Sequence, residues 1–326
     1  MPVYNAERFL RVSLGSVLAA AKALETGDEA EIICVDDGST DASGAILDEM
    51  AAHDPRVRVV HQANGGEGSA RNAGLAVATG DLLAFLDADD VFHPVGLRLI
   101  CAVRRATGAD VLRYGWRPVT THDGKFEPLP GPECARSIDF ATARESTIRF
   151  CTAGCATVVA RAIVGDVRFS KLRQGADLVF AMDCFLRANK VVRIDAPILH
   201  YLTHASSVSQ KLSIGLVAGT CDYLPEVVAR CAALKEGAAA RADTRAYVCE
   251  LLFRRLVGSW RLFADPAERE SVRQAFWRCL GALSERTDFF SPCARALARQ
   301  AVRRQSVIWL RIFVILPWRI AGRGGR

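Results

Sequence analysis

Residues 81–90 read Asp-Leu-Leu-Ala-Phe-Leu-Asp-Ala-Asp-Asp, so a short apolar run passes directly into a group of carboxylates. Residues 31–37 repeat this pattern, because the apolar residues at 32–35 are followed by Asp36 and Asp37. A short apolar run that stops at turn-forming residues is typical of a strand buried in a parallel sheet. Both acidic groups are therefore predicted to follow buried strands.

Helical patterns separate these strands along the first 116 residues. Helices are predicted where apolar residues recur at helical spacing, at residues 7–24, 40–53, 66–77 and 94–107. Further strands are predicted at residues 57–60 and 110–114. Strands that alternate with helices indicate βαβ units, so the predicted fold is a Rossmann-like α/β fold, with a mostly parallel sheet flanked by helices.

The chain has 326 residues, of which 50% are hydrophobic, and this length suits about two structural units. Its net charge of +6 is uneven, because residues 295–326 contain eight arginines and no acidic residue. The rest of the chain is nearly neutral, which argues against nucleic acid as a partner. Eleven cysteines without a Cys-x-x-Cys pair favour free thiols in a reducing cytoplasm. We find neither a signal-peptide pattern nor an apolar run long enough to span a membrane.

A change of composition divides the chain further. Residues 117–150 are rich in proline and glycine and are predicted to form a long excursion. We expect residues 117–212 to complete the α/β domain that residues 1–116 begin, and residues 213–326 to form a helical extension with a basic amphipathic tail.

The two acidic groups suggest chemistry at one edge of the sheet. In an open α/β sheet the ligand lies beyond the carboxyl ends of the strands. One carboxylate there could accept hydrogen bonds from a base or ribose, and another could hold a divalent cation against a diphosphate. The alternative, that these aspartates merely cap turns and helices, remains open for each group taken by itself.

The glycine-rich segment 64–74 does not match a dinucleotide or P-loop motif. Arg71 stands where a third glycine would be needed, and no Gly-Lys-Ser/Thr follows. The segment could still bring backbone amides and Arg71 near a phosphate at the start of a helix.

Four segments resemble motifs of the family 2 glycosyltransferases, which are inverting enzymes with the GT-A fold. They occur in the family order, as Pro2-Val-Tyr-Asn-Ala-Glu7, Val35-Asp-Asp-Gly-Ser-Thr-Asp41, Asn64-Gly-Gly with Ala70-Arg-Asn-Ala-Gly74, and Gly80-Asp with Phe85-Leu-Asp-Ala-Asp-Asp90. A weaker likeness continues through Asp177 to about residue 210.

The resemblance implies a nucleotide-sugar donor, expected to be a UDP-sugar, and a role for each matching residue. It places Pro2, Val3, Tyr4 and Glu7 around the nucleotide, Asp37 on the base, Arg71 near the donor, Asp87 on the ribose or metal, Asp89 on Mn²⁺ or Mg²⁺, and Asp177 as the general base. Asp177 has a second possible role, as an acid that the helix dipole favours in a first turn.

The chain departs from the family pattern at several points. Family members begin with a hydrophobic strand just before the segment that starts at Pro2, so we expect this first strand to be missing. Ala176 replaces the acid that usually precedes the base. The Gln-x-x-Arg-Trp motif of processive synthases is absent, which predicts transfer of a single sugar to a glycan or lipid-linked acceptor. For His200 and His204, structural roles are favoured over metal binding.

The basic tail, residues 303–326, surrounds an apolar stretch with two tryptophans. It suits either an interfacial helix on an anionic membrane or a core or dimer-contact helix. The protein is therefore expected in the cytoplasm, either free or peripheral on the inner face of the cell membrane. Two other functions remain open. One is a nucleotidyltransferase, although its lysine-bearing glycine loop is lacking, and the other is a catalytically silent, membrane-associated nucleotide-sugar-binding protein.

Overall fold

A computed structural model describes most of the chain. The described residues are 1–143, 156–172, 175–204, 214–234, 236–248, 251, 265–285 and 292–304. They divide into two compact units, the first formed by the described residues of 1–139 and 156–204, and the second by those of 140–143 and 214–304.

The first unit alternates strands and helices as the sequence predicts. Its strands are β1 (Pro2–Val3), β2 (Ile32–Asp36), β3 (Val57–His61), β4 (Leu82–Ala84), β5 (Val91–Phe92), β6 (Val111–Val119), β7 (Ala135–Ile138), β8 (Thr157–Ala160) and β9 (Val191–Leu202). Its helices are α1 (Glu7–Lys22), α2 (Ser43–His53), α3 (Glu67–Val77), α4 (Gly96–Thr107), α5 (Arg161–Val164) and α6 (Ala176–Arg187), and a 3₁₀ turn spans Pro132–Cys134.

The first sheet is parallel and has the order β1-β2-β3. β2 is its central strand, and four of its five residues are buried. β1 is only two residues long, and it pairs with β2 through Pro2 opposite Val35. The Met1 ammonium donates to the carbonyl of Ile33 at 2.9 Å, and burial lowers the pKa of this ammonium group.

The second sheet is mixed, with the order β4-β8-β6-β9-β5 and with β7 on β9. β6 and β9 run parallel, whereas the other neighbouring strands run antiparallel. The sequence predicts two strands at 191–194 and 198–202, but the structure has one strand, β9. Its pairing with β6 shifts register around Gly115, where the backbone of Ala196 approaches so closely that a Cβ on Gly115 would lie 2.8 Å from its carbonyl oxygen.

Two buried clusters form the core of the first unit. One contains residues of β6, β9 and α4, and the other contains residues of β2, α1 and α2. Met1, Val17 and Leu97 pack against both clusters. The two clusters are thereby joined through shared apolar contacts.

The second unit is helical in its described part. It contains α7 (Ile214–Ala233), a helical segment at residues 238–248, α8 (Pro266–Ser284) and α9 (Pro292–Arg304). Within the described ranges, no helix combines the length and the apolar character that a membrane crossing requires. Most of the basic tail, residues 305–326, lies outside the described residues.

Candidate active site

Asp37, at the end of β2, holds the loop that leads into α3. Its backbone N–H donates to the carbonyl of Val3 at 2.8 Å. Its buried carboxylate accepts hydrogen bonds from Gln62 Nε2 at 2.6 Å and from the amides of Gly65 and Gly66 at 2.8 Å each. Since a carboxylate has about four acceptor positions, one remains for a ligand. The assignment of Asp37 to the nucleotide base stays a prediction, and the structure gives this residue an additional loop-anchoring role.

The glycine loop positions the start of α3. Gly66 has a φ of +85°, a conformation that favours glycine, and it directly precedes Glu67. Glu67 and Arg71 are one helical turn apart, so their side chains meet, and Glu67 Oε1 lies 2.5 Å from Arg71 Nη1. This pair follows from the local sequence and could have been predicted from its i,i+4 spacing.

Arg71 contacts both the acidic group that follows β4 and an aromatic ring, that of Phe169. Its guanidinium is buried, and its Nη2 donates to Asp87 Oδ1 at 2.6 Å. Its Cζ also lies 5.3 Å from the ring centroid of Phe169. Asn72 fixes that ring from the same helix, because its side chain both donates to the carbonyl and accepts from the amide of Phe169 at 2.9 Å.

Asp177 lies in the first turn of α6, as the sequence predicts. With Arg71 it lines a small cavity, whose remaining walls are Phe85, Thr157, Val159, Phe169, Phe180 and Ala181. Phe169 and Phe180 stack with their centroids 4.0 Å apart. The cavity therefore brings the predicted base and the predicted donor-side arginine to one place with a largely apolar floor.

Glu67 shares this electrostatic environment. Desolvation by neighbouring protein atoms raises the pKa of Glu67 to about 7. The negative charges of Asp87 and Asp177 also raise this pKa, whereas the positive charge of Arg71 lowers it. The outer part of the side chain stays open to solvent, with 59% of its surface exposed.

The carboxylates of the second acidic group have separate surroundings. The Oδ2 atom of Asp89 lies 3.0 Å from Nε2 of His204, and His122 Nε2 lies 2.9 Å from the carbonyl oxygen of Asp89. Asp90 is fully buried and accepts from the amide of Leu202 at 2.9 Å. Burial, together with the charges of its acidic neighbours, raises the pKa of Asp90 to about 8, so this carboxyl is largely protonated at neutral pH.

His200, which lies in β9, and His204, which follows this strand, have different surroundings. His200 is buried, stacks on Phe126 with centroids 4.6 Å apart, and has a pKa lowered first by burial, which fits the structural role expected for it. His204 instead faces the predicted metal ligand Asp89. The sequence could not reveal this contact, because the two residues are 115 positions apart.

The predicted nucleotide-side residues gather at the ends of β1 and β2. Pro2 and Val3 form β1, and Tyr4 follows it with 53% of its surface exposed. Glu7 opens α1, and its Oε2 accepts from the amide of Ala42 at 2.9 Å. Asn5 has a φ of +49° and accepts from Thr40.

Asp87 and Asp89 fit a hard divalent cation such as Mg²⁺ or Mn²⁺. They supply oxygen donors from one turn, and within the described residues no group of three or more His, Cys, Asp or Glu side chains forms a complete cage. Mg²⁺ in particular keeps several waters and binds through one or two carboxylates plus phosphate oxygens. The donor set is thus suited to a cation that arrives with a diphosphate.

The α/β fold of the first unit is the GT-A fold of known glycosyltransferase structures. A similar fold is seen in Staphylococcus aureus TarS residues 1–349 in complex with UDP-GlcNAc, with a TM-score of 0.67, 20% sequence identity, and coverage of 95% of this chain and 88% of that one. The structure of TarS 1–349 without that ligand has a TM-score of 0.65 and covers 100% of this chain.

Residues 1–161, just under half of the chain, match the family described as glycosyl transferase family 2. An uncharacterized glycosyltransferase of Nostoc sp. is 45% identical over 101 residues, which are 31% of this chain and 30% of the relative. Glycosyltransferase GlyG of Streptococcus pneumoniae is 35% identical over 127 residues, covering 39% and 40%. The matches thus span 30% and 40% of the length of these two relatives.

Proposed function

We propose that this protein transfers a single sugar from a nucleotide-sugar donor to a hydroxyl of a glycan or lipid-linked acceptor, with inversion at the anomeric carbon. The observation that carries the proposal is the position of Arg71. It donates to Asp87 and lines the cavity of Asp177, so it links the proposed donor-side carboxylate to the cavity of the proposed base.

The nucleotide is proposed to lie at the ends of β1 and β2. Asp37 retains an acceptor position for a base N–H, and the exposed ring of Tyr4 offers a surface for the nucleotide beside Pro2, Val3 and Glu7. Uridine nucleotides are the first donors to test, because TarS, which shares this fold, has been solved with UDP-GlcNAc.

The diphosphate side is assigned to Asp87, Asp89 and Arg71. Asp89 and Asp87 would hold Mn²⁺ or Mg²⁺, which when bound offsets the negative charge that develops on the departing diphosphate. Arg71 is buried and hydrogen-bonded in a fixed orientation, so its charge is available without reorganisation. His204 contacts Asp89 at 3.0 Å and would orient its carboxylate.

The acceptor side is assigned to Asp177. In an inverting transfer the acceptor oxygen attacks the anomeric carbon on the face opposite the leaving group, and a carboxylate takes its proton. Asp177 lines the cavity together with Arg71, and Arg71 is bonded to Asp87, which supports the assignment of the base to this position. Ala176 is buried and offers no second carboxylate there.

Release of nucleoside diphosphate from a panel of nucleotide sugars tests the function. With Mn²⁺ present, we expect release from at least one donor and its loss on chelation with EDTA. Binding of donors without any release would favour the silent binding protein, and release of pyrophosphate from a nucleoside triphosphate and a sugar phosphate would favour a nucleotidyltransferase.

A membrane location is proposed separately, from the arginines of the tail, of which Arg303 and Arg304 close α9. Clusters of basic residues near an apolar, tryptophan-bearing stretch favour anionic lipid surfaces. Vesicles rich in phosphatidylglycerol should bind the whole chain more strongly than a variant with Arg303 and Arg304 replaced by glutamine. Equal binding of both would contradict this location.

A further inference from the structure

Glu67 contacts Arg71, the residue that links Asp87 to the cavity of Asp177. This inference rests on the proposed function. Because the base and the leaving group act on opposite faces of one carbon, the transferred sugar lies between Asp177 and the diphosphate side at Asp87. Arg71 adjoins both, and Glu67 is fixed to that guanidinium at 2.5 Å.

The Glu67 carboxylate is held through one of its oxygens, because Oε1 lies 2.5 Å from Arg71 Nη1. The side chain is 59% exposed, so a ligand can reach it. Above its raised pKa of about 7, the Glu67 carboxylate only accepts hydrogen bonds and thus suits a ligand rich in hydroxyl donors.

Thr157 provides a second, independent indication of a polar ligand at this place. It is 2% exposed, lines the cavity with Asp177 and Arg71, and its Oγ1 has no hydrogen-bond partner among the described residues. A buried hydroxyl without a partner is unfavourable, so the otherwise apolar cavity has a polar position that a bound molecule would satisfy.

We propose that Glu67 recognises a hydroxyl of the transferred sugar and so contributes to the choice of donor. Its Oε2 accepts a hydrogen bond from that hydroxyl, while Oε1 stays on Arg71 and fixes the direction of the carboxylate. Nucleoside diphosphates without a sugar do not reach this contact. Glu67 therefore affects the additional affinity that the sugar provides, and not the affinity for the nucleotide.

A structural role for Glu67 makes a different prediction. A partly exposed i,i+4 ion pair contributes little to folding, and Arg71 keeps its bond to Asp87 when Glu67 is replaced. The variant Glu67→Gln retains an amide oxygen that can accept from Arg71, so it is expected to fold as the wild type does. It loses the charged acceptor that faces the sugar.

Isothermal titration in Mn²⁺ without acceptor tests the proposal. The probes are UDP and GDP, compared with UDP-GlcNAc, UDP-glucose and GDP-mannose. The quantity measured is the ratio of affinities for a nucleotide sugar and its nucleoside diphosphate, in the wild type, in Glu67→Gln and in Glu49→Gln. Glu49 is a matched control, because it also pairs with an arginine but does so on an exposed surface of α2.

We expect Glu67→Gln to lower this ratio about tenfold for the preferred donor, the loss expected for one charged hydrogen bond. The affinity for the nucleoside diphosphate and the ratio in Glu49→Gln should not change. An unchanged ratio in Glu67→Gln, with nucleotide binding intact, overturns the role of Glu67 and leaves the proposed function standing. Absence of nucleotide binding by the wild type overturns both.

Discussion

Replacement of Asp37 by alanine should release the loop before α3. In the structure one buried carboxylate accepts three hydrogen bonds, two of them from the backbone amides of Gly65 and Gly66. A hydrogen bond to a charged group contributes about 1.5–3 kcal/mol where the freed donor stays buried, and about 1 kcal/mol where water can replace the acceptor. Gly65 and Gly66 are exposed, so we use the lower value.

Three such bonds give a loss of about 3 kcal/mol in the local stability of the loop. Amide hydrogen exchange measures this directly, and the loss corresponds to about 100-fold faster exchange at Gly65 and Gly66. This loop leads directly into α3, which contains Glu67 and Arg71. Nucleotide-sugar binding should therefore weaken in the same variant.

Asp48→Asn is the matched control for this experiment. Asp48 is 63% exposed and contacts only the side chain of His61 in the described interactions, so its replacement should leave exchange at Gly65 and Gly66 unchanged. Exchange in Asp37→Ala that rises less than about threefold would refute the loop-anchoring role. Asp37 would then be explained by ligand binding alone.

Two further predictions concern stability. Hydrogen bonds to Asp48 and Asp36 raise the pKa of His61. The contribution of His61 to the free energy of unfolding is therefore complete below about pH 6.5 and is lost as pH rises through the pKa of the folded state. Urea unfolding should therefore separate His61→Gln from the wild type more at pH 5.5 than at pH 8.5, and an equal difference at both values would contradict this. A Cβ on Gly96 would lie 2.6 Å from Ile198 Cγ2, so Gly96→Ala should lower the free energy of unfolding by about 1–3 kcal/mol. Gly15→Ala, which has open space, should not lower it.

Elements with strong local signals could be predicted from the sequence. β2 was predicted because an apolar run ends at two aspartates, and α3 was predicted within one residue because glycines precede a helical pattern. The family and the GT-A fold also followed from motifs in the first 90 residues, and both are confirmed. These features depend on neighbouring residues, which a sequence displays directly.

Features that depend on distant residues were not predictable. The position of Asn5 just before α1 predicts that it caps this helix. The amides of Ala6 and Glu7 instead donate to Ser43, the first residue of α2, and to Asp41. Asn5 instead adopts a left-handed conformation and bonds Thr40. In the same way, the antiparallel position of β8 and the contact of His204 with Asp89 are set by chain crossings that leave no local pattern.

The central claim is that Asp177 is the general base of a sugar transfer, and the turnover of Asp177→Asn tests it most directly. The measurement is nucleoside diphosphate release in Mn²⁺ from the donor that the wild type prefers, together with donor affinity. A general base typically contributes about 100- to 10,000-fold to the rate, so the variant should lose that much turnover while donor affinity stays within about twofold. Release at the wild-type rate would contradict the assignment of Asp177 and the mechanism built on it.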